Sequence, residues 1–515
     1  KSSKKTGGVS FSNAVEGHLA APAAAVTPGA ATSASGSASV SASGASVGTQ
    51  SAAAALALLR SGNPHRAAQG ANELARLAAA SSSGAQQVAN EPGALEALVA
   101  AMGDPGTVAG AAAALNGLCR SSARLQVSKT RGIVPALVSA LGAGAPAHAA
   151  QSLEALSSKV DGMLLQVADT PGALQALVGA LGRADSAYHA TWVLGNIAAA
   201  GADARARIAD APGMLPALVG ALRGAHSDDA AESAARALRK LTAAHDEKAV
   251  IKKVAQADGM LPAVVAALGK PRSAASAAAV LHSISLLPGA PPCAVGETAG
   301  ALRGLVAALG TPDAAFDAVR ALENITRAAP RLQPQIAAVP GVLPALAALL
   351  ATPRDGVIAA AILTRLGGGD DAHKRAIASA HGLVAAAVAA METDDARGRG
   401  AAMVLNTIVP VASGRIADTH GALAALAAAT WWVGKPKNTS NVAMAIIEKM
   451  AASQEPGVVH KIARAEGMLG ALVAALGRAH TVAAAARVLA VIADDADMAA
   501  AAAAAVAAAL RQAPA

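Results

Sequence analysis

The amino-acid sequence predicts an all-α solenoid built from about ten to eleven three-helix repeats. Two observations support this prediction: the stretch Gly213–Leu222 recurs in close copies, and successive copies start 39 to 46 residues apart. Repeated units stack on their neighbours into one continuous domain, so a chain of 515 residues need not divide into several globules. The copies start at Gly93, Gly132, Gly172, Gly213, Gly259, Gly300, Gly341, Gly382, Gly421 and Gly467.

The repeated stretch predicts a tight turn followed by the middle helix of each unit. Apolar residues in Leu215–Leu222 fall at i, i+3, i+4 and i+7, which gives a short helix one apolar face. Glycine ahead of it indicates a left-handed turn, because glycine adopts positive φ without strain. Proline three residues after the glycine fits the first helical turn, where its missing N–H costs nothing. These prolines are Pro135, Pro216, Pro262 and Pro344.

Two further helices complete the predicted unit. A loop rich in Pro, Gly and Asp leads to a longer helix with the pattern A-x-x-A-L-x-x-L, as in Ala234–Leu241. A short helical turn with small apolar residues, such as Ile208–Asp210, precedes the next glycine. Each unit is therefore expected to contain a short first helix, the glycine turn, a second helix, a loop and a long third helix.

The chain is expected to contain two regions. Residues 1–50 are rich in Ser, Ala and Gly and are expected to form a disordered tail or the remnant of a targeting segment, while residues 51–515 form the solenoid. The longest apolar run, Met498–Leu510, has 13 residues. A bilayer span needs roughly 20, so no transmembrane segment is expected. We expect a cytoplasmic or nuclear location, with organellar import as an alternative because the sequence starts at Lys1.

A unit of about 41 residues with three helices, and with glycine between the first two, resembles the armadillo repeat. The resemblance covers residues 51 to 513, and HEAT repeats, which have two helices and lack the glycine turn, match less well. It implies a right-handed superhelix, the armadillo-type solenoid, whose third helices line a concave groove that holds an extended peptide.

Within that resemblance, Trp192 and Asn196 match the family motif W-x-x-x-N on the third helix. The motif implies that the tryptophan packs on the ligand and that the asparagine holds the ligand backbone. No other unit matches in full, whereas a groove like that of importin α would need several such pairs. The 22 equivalent places in all units hold seven basic residues and no acidic one. The predicted groove residues are Arg76, Trp192, Asn196, Arg236, Lys240, Arg320, Asn324, Arg365, Lys449 and Arg487.

A basic groove predicts an acidic or phosphorylated partner, because arginine makes charge-assisted hydrogen bonds with carboxylates and phosphates. In this respect the groove resembles the β-catenin branch of the family more than importin α. The other explanation is an ordinary solvated surface, since arginine and lysine extend to water from any helix face. The formal charge of +8 permits an acidic partner without requiring one.

We therefore expect a non-enzymatic scaffold or adaptor that binds a protein, with no catalytic residue, cofactor or metal ion. Two alternatives are an importin-α-like nuclear transport adaptor and a solenoid that binds nucleic acid, such as organellar RNA. The second is disfavoured by three tryptophans, two phenylalanines and one tyrosine in 515 residues, because single strands usually stack on aromatic rings. The sequence assigns no oligomeric state.

A second contact is expected near Gly421, where the interval to the next glycine grows to 46 residues. The sequence there suggests an insert, Val433–Asn441, directly after two tryptophans. Tryptophan beside a cation is typical of an interface hot spot. The alternative is that the two indoles fill a gap between units. The residues of this second contact are Trp431, Trp432, Lys435 and Lys437.

Overall fold

The computed structural model describes residues 44–512 apart from 161, 225–226, 394–395, 432–436, 454 and 496–497. Side chains are described for 51–507, without those gaps and without 431 and 437–438. The chain divides into a unit of residues 1–47 and a unit of residues 48–515, and the fold below is that of the second. The predicted tail lies almost wholly outside the described residues, and the first described helix begins at Gly44, ahead of the expected boundary at residue 51.

Every regular element in the described part of the chain is helical, and no strand occurs there. The first third of the chain contains α1 (Gly44–Leu59), α2 (Pro64–Ala80), α3 (Ser82–Asn90), α4 (Ala94–Ala101), α5 (Val108–Cys119), α6 (Arg124–Lys129), α7 (Ile133–Gly142), α8 (Pro146–Lys159), α9 (Met163–Asp169), α10 (Ala173–Leu181) and α11 (Ala187–Ala200). The middle contains α12 (Ala202–Asp210), α13 (Met214–Leu222), α14 (Asp228–Leu241), α15 (Lys248–Gln256), α16 (Met260–Leu268), α17 (Ala274–Ser285), α18 (Pro291–Glu297), α19 (Ala301–Ala308), α20 (Pro312–Ala328), a 3₁₀ turn (Pro330–Leu332), α21 (Gln333–Ala337) and α22 (Val342–Leu350). The last part contains α23 (Gly356–Gly367), α24 (Asp371–Ser379), α25 (Leu383–Met391), α26 (Ala396–Asp418), α27 (Ala422–Trp431), α28 (Lys437–Ala451), α29 (Val458–Arg464), α30 (Met468–Leu476), α31 (Val482–Asp494) and α32 (Ala499–Gln512).

The glycine turns are confirmed. All ten repeat glycines have positive φ, between 68° and 85°. At Gly213 the carbonyl accepts a hydrogen bond from the Ala217 N–H at 3.0 Å, which starts the second helix of that unit. The repeated glycine therefore sets both the direction and the first residue of each second helix.

The predicted stacking of units is confirmed as an α-solenoid. The third helices pack on one another in an unbroken series, in the order α2, α5, α8, α11, α14, α17, α20, α23, α26, α28 and α31. Leu194, Leu238 and Leu281, which occupy the first leucine place of the A-L-x-x-L pattern, are almost fully buried in this series. Small residues let the helices approach closely: a Cβ on Gly195 would lie 3.2 Å from Ala237 Cα. Since the leucines face inward, the opposite sides of the third helices form a continuous accessible face.

One third helix continues into the first helix of the next unit. In α26 the residue Ala412 has non-helical dihedrals (φ −148°, ψ 25°), two residues after Pro410, so two helices meet without a loop. By length and apolar composition α26 could cross a membrane, and half of that apolar window is buried inside the protein. The bent pair Pro330–Ala337 and Val342–Leu350, at 97°, passes the same test. Both segments are repeat elements packed in the solenoid.

The structure corrects the predicted insert Val433–Asn441. Helix α27 ends at Trp431 and α28 begins at Lys437, so their link, 432–436, is as long as the link 182–186 between α10 and α11. The additional length lies chiefly after α28. The link between α28 and α29 is 452–457, whereas the corresponding link between α11 and α12 is the single residue Gly201. The sequence interval revealed extra residues but did not show which link contained them.

Candidate functional site: the face formed by the third helices

The predicted groove residues lie on the accessible side of the third helices, with one exception. We call this surface, from Arg76 on α2 to Arg487 on α31, the third-helix face. The side chains of Arg76 and Arg487 are 66 % and 64 % exposed, Arg320 and Lys449 are exposed, and the remaining cations are half-buried. Each of these cations has a buried leucine, or at Lys449 the buried Met450, one or two positions away, which explains this orientation.

Asn324 is the exception, because it is only 3 % exposed. Its Nδ2 donates to Ser285 Oγ at 3.0 Å, and its Oδ1 accepts from Arg327 Nη2 at 2.8 Å. Both ends of the amide are thus used to join α20 to α17 and to its own last turn. We therefore leave Asn324 out of the contact surface proposed below.

The single W-x-x-x-N pair lies beside a lysine of the next unit. Trp192 and Asn196 are both half-buried on α11. Lys240 Nζ donates to Asn196 Oδ1 at 2.6 Å, so equivalent places of neighbouring units are in contact. In the described part of the chain Asn196 Nδ2 has no hydrogen-bond acceptor, which leaves it available to a backbone carbonyl of a ligand.

Acidic residues pair with several cations of the predicted basic groove. These acids lie outside the places equivalent to Trp192 and Asn196, so the sequence comparison did not include them. Each of four predicted cations forms an ion pair with a carboxylate of its own helix or of the preceding third helix. On the same helix, residues three or four apart are neighbours, which accounts for two of the pairs. The pairs are Arg76 with Glu73, Arg236 with Glu232, Arg365 with Glu323, and Arg487 with Glu448.

Three arginines without an acidic partner lie near the middle of the third-helix face, and in the described part of the chain Lys449 on α28, whose Nζ donates to Asn406 Oδ1 at 2.9 Å, also has none. Arg320 and Arg354 both stack on Phe316, with Cζ atoms 5.4 Å and 3.7 Å from the ring centroid. Arg239 is exposed at the end of α14. In the described part of the chain none of these three arginines forms an ion pair. Sequence reasoning missed Arg239, Phe316 and Arg354, because none of them occupies a motif place.

A cavity of about 310 Å³ opens beside Arg239. We call it the histidine pocket, and its lining residues are Arg239, Lys240, Ala243, His245, Ala279, His282, Ser283 and Asp317. His282 is 8 % exposed, and its Nδ1 lies 2.9 Å from Asp317 Oδ1. The His245 ring lies 5.6 Å from the His282 ring between centroids.

Two groups of the histidine pocket have shifted pKa values. Burial, followed by the charges of Arg236 and Arg239, lowers the pKa of the Lys240 amine. Burial and the neighbouring His282 lower the pKa of His245, against an opposing effect of Asp317 and Asp246. Both shifts disfavour the cationic form, and burial is the first cause of each.

The link 242–247 brings His245 to this pocket. Helices α11 and α14 each have 14 residues, yet Gly201 alone follows α11 whereas residues 242–247 follow α14. Glu247 anchors the link: its Oε2 accepts from Arg205 Nε at 2.8 Å, and the two side chains are only 18 % and 14 % exposed. The interval of 46 residues from Gly213 to Gly259 was the available sequence signal for this link.

The predicted second contact cannot be placed on this face. Trp432 and Lys435 lie outside the described residues, and the side chains of Trp431 and Lys437 do as well. Their role as a surface contact or as a structural filler stays a prediction.

Comparison with known proteins gives a fold likeness and no sequence family. No family model and no curated protein matches the chain. One similar solved chain comes from a study of a phosphorylation switch that controls the interaction between cadherin and beta-catenin, with 16 % identity, a TM-score of 0.58, and coverage of 87 % of this chain and 95 % of that one. An engineered protein matches at 22 % identity and a TM-score of 0.46, over 86 % of this chain and 98 % of its own. At 16 % identity the first of these likenesses shows the fold alone.

Proposed function

We propose that this chain is an armadillo-type repeat protein that acts as a non-enzymatic scaffold or adaptor. It binds an extended acidic segment of a protein partner along the third-helix face. The observation that supports this most is the continuous series of third helices whose middle presents three arginines without acidic partners. The likeness in fold to a chain studied for the interaction of cadherin with beta-catenin is consistent with protein binding.

The proposed contact is centred on helices α11 to α23 rather than spread over the whole face. Outside this region the cations Arg76 and Arg487 already have carboxylate partners, which a ligand would have to displace. Within it, guanidinium groups that stack on Phe316 keep their N–H groups free for a carboxylate. Asn196 and Trp192, on α11 at one end of this region, supply a backbone clamp. Side-chain charge and a backbone clamp together suit an extended acidic peptide.

Charge reversal tests the proposal. We expect the triple variant Arg239→Glu, Arg320→Glu and Arg354→Glu to lose at least about 100-fold in affinity for the captured partner, since attraction becomes repulsion at three positions. The partner is first captured from the native source with residues 44–515 as bait, after nuclease treatment. Affinity is then measured by calorimetry.

A matched control removes the effect of net charge. The variant Lys252→Glu, Arg303→Glu and Arg464→Glu makes the same charge change at exposed residues of first and second helices. We expect it to bind the partner like the wild type. Equal loss in both variants, or full affinity in the first with unchanged helical circular dichroism, would contradict the proposal. Loss of the captured material on nuclease treatment would point instead to nucleic acid.

A further inference from the structure

We infer that the histidine pocket receives the phosphoryl group of a phosphorylated serine or threonine in the bound segment. This inference rests on the proposed function, because it assigns one subsite of the same face. Lys240 connects the two sites: it lines the pocket and donates to Asn196 of the backbone clamp at 2.6 Å. A segment held at Asn196 therefore passes the mouth of the pocket.

The pocket has more cationic than acidic lining. Arg239, Lys240 and two histidines share the lining with one carboxylate, Asp317, which His282 Nδ1 already contacts at 2.9 Å, and Asp246 acts on His245 from outside the lining. In the described part of the chain Arg239 forms no ion pair, and the only hydrogen-bond acceptor of Lys240 is an uncharged amide. A dianion supplies the charge that these groups lack.

The pocket also has unused hydrogen-bond donors. Among the described residues the guanidinium of Arg239 and the ring of His245 make no hydrogen bond, and Lys240 uses one of its three N–H groups. Ser283 contributes no free donor, since its hydroxyl donates to Ala279 O at 3.0 Å. Three terminal phosphoryl oxygens match several converging donors better than the two oxygens of a carboxylate do.

The size of the cavity supports the same ligand. A volume of about 310 Å³ holds a phosphoryl group together with part of the side chain that carries it. A bound phosphoryl group changes the electrostatic surroundings of His245, because this ring lines the pocket together with Arg239, Lys240, His282 and Asp317, and Asp246 also acts on it. An added dianion favours the imidazolium form, so occupation raises the pKa of His245 from its lowered value.

Histidine NMR tests this inference without the partner. Protein labelled with ¹³C-histidine is titrated with N-acetyl-O-phosphoserine amide at constant ionic strength, with N-acetyl-aspartate amide as the carboxylate probe. We expect the phosphoserine probe to shift the ring signals of His245 and His282 and to raise the pKa of His245. His460, which contacts Asp495 on a distant unit, serves as the internal reference and should not shift.

Matched variants assign the effect to the pocket. We expect Arg239→Gln to weaken binding of the phosphoserine probe at least about fivefold, since it removes charge-assisted hydrogen bonds. Lys252→Gln removes the same charge from α15 and should leave binding unchanged. An equal response to both probes, no response at His245, or equal weakening in the two variants would overturn the inference. The titration of the wild-type protein tests the inference even if a variant fails to fold. Capture of a partner by a protein whose His245 signal does not respond to phosphoserine would contradict this inference but not the proposed function.

Discussion

A single backbone conformation fixes the turn of each unit. Gly213 has φ of +75°, a region where a side chain is strained whatever the surrounding space. The nearest atom to a Cβ built there, Val178 Cγ1, lies at 3.5 Å, which is ordinary contact. Backbone strain alone therefore explains the glycine at this position.

Alanine substitutions at Gly213 and Gly220 distinguish the strain of a side chain at positive φ from the effect of alanine inside a helix. We expect Gly213→Ala to lower the free energy of unfolding by about 1–2 kcal/mol, because alanine is strained at positive φ. Gly220 lies inside α13 with no atom within 4 Å of a built Cβ. Gly220→Ala should raise the free energy of unfolding by up to about 1 kcal/mol, since alanine is the better helix former. Urea denaturation checks both, and a stabilising Gly213→Ala would contradict the account of the turn.

Charge pairing on the third-helix face could be predicted only in part. The accessible places of Arg236 and Arg320 follow from helical periodicity, which is local information. The partner of Arg365 is Glu323 on the preceding third helix, and that pairing depends on how the two helices are offset along their axes. Asn324 matched a motif place in sequence, yet the packing of α20 on α17 buries it. Contacts between units thus decide which motif places reach a ligand.

At the scale of the element, the link 242–247 is anchored by the ion pair between Glu247 and Arg205. The pKa of Glu247 is lowered, first by the hydrogen bond from Arg205 and then by the charge of that guanidinium. A carboxyl group whose pKa is lowered in the folded state contributes stability above its unfolded pKa of roughly 4.3, and this contribution is lost as the pH falls through the folded value. The pair therefore holds the link at neutral pH and releases it in acid.

Glu247→Gln tests the anchoring of this link. At pH 7 we expect a loss of about 1–3 kcal/mol in the free energy of opening of the link, because hydrogen bonds to a charged group are lost from a mostly buried pair. Hydrogen exchange of residues 242–256 measures it, and the difference from wild type should shrink in acid below the folded pKa of Glu247. As a control, Glu297→Gln removes a pair with Arg331 whose side chains are 50 % and 64 % exposed. That control should cost less than about 1 kcal/mol, and equal losses would contradict the account.

Element lengths show where sequence reasoning reached its limit. Glycine turns and apolar periods are local, so the ten turns were predicted correctly. An interval between glycines sums five segments, so a longer interval does not identify the longer segment. This is why an insert was expected at Val433–Asn441, while the link that brings His245 to its pocket was not expected at all.

At the scale of the whole molecule, stacking gives the third helices one shared face with an uneven charge. Carboxylates compensate cations at Arg76 and Arg487, near the two ends of the series, while Arg239, Arg320 and Arg354 stay uncompensated in the middle. Exposed charges more than about a Debye length apart act almost independently in physiological salt. Under the proposed function, we therefore expect partner choice to depend on the middle of the face.

Zero-length cross-linking of the captured complex tests the central claim most directly. A carbodiimide joins partner carboxylates to lysine amines that they touch, and mass spectrometry identifies the lysine. We expect links at Lys240, which lies on the third-helix face and whose lowered pKa favours the reactive free amine. Links confined to Lys252, Lys253 and Lys461, which belong to the first helices α15 and α29, would contradict binding along the third-helix face.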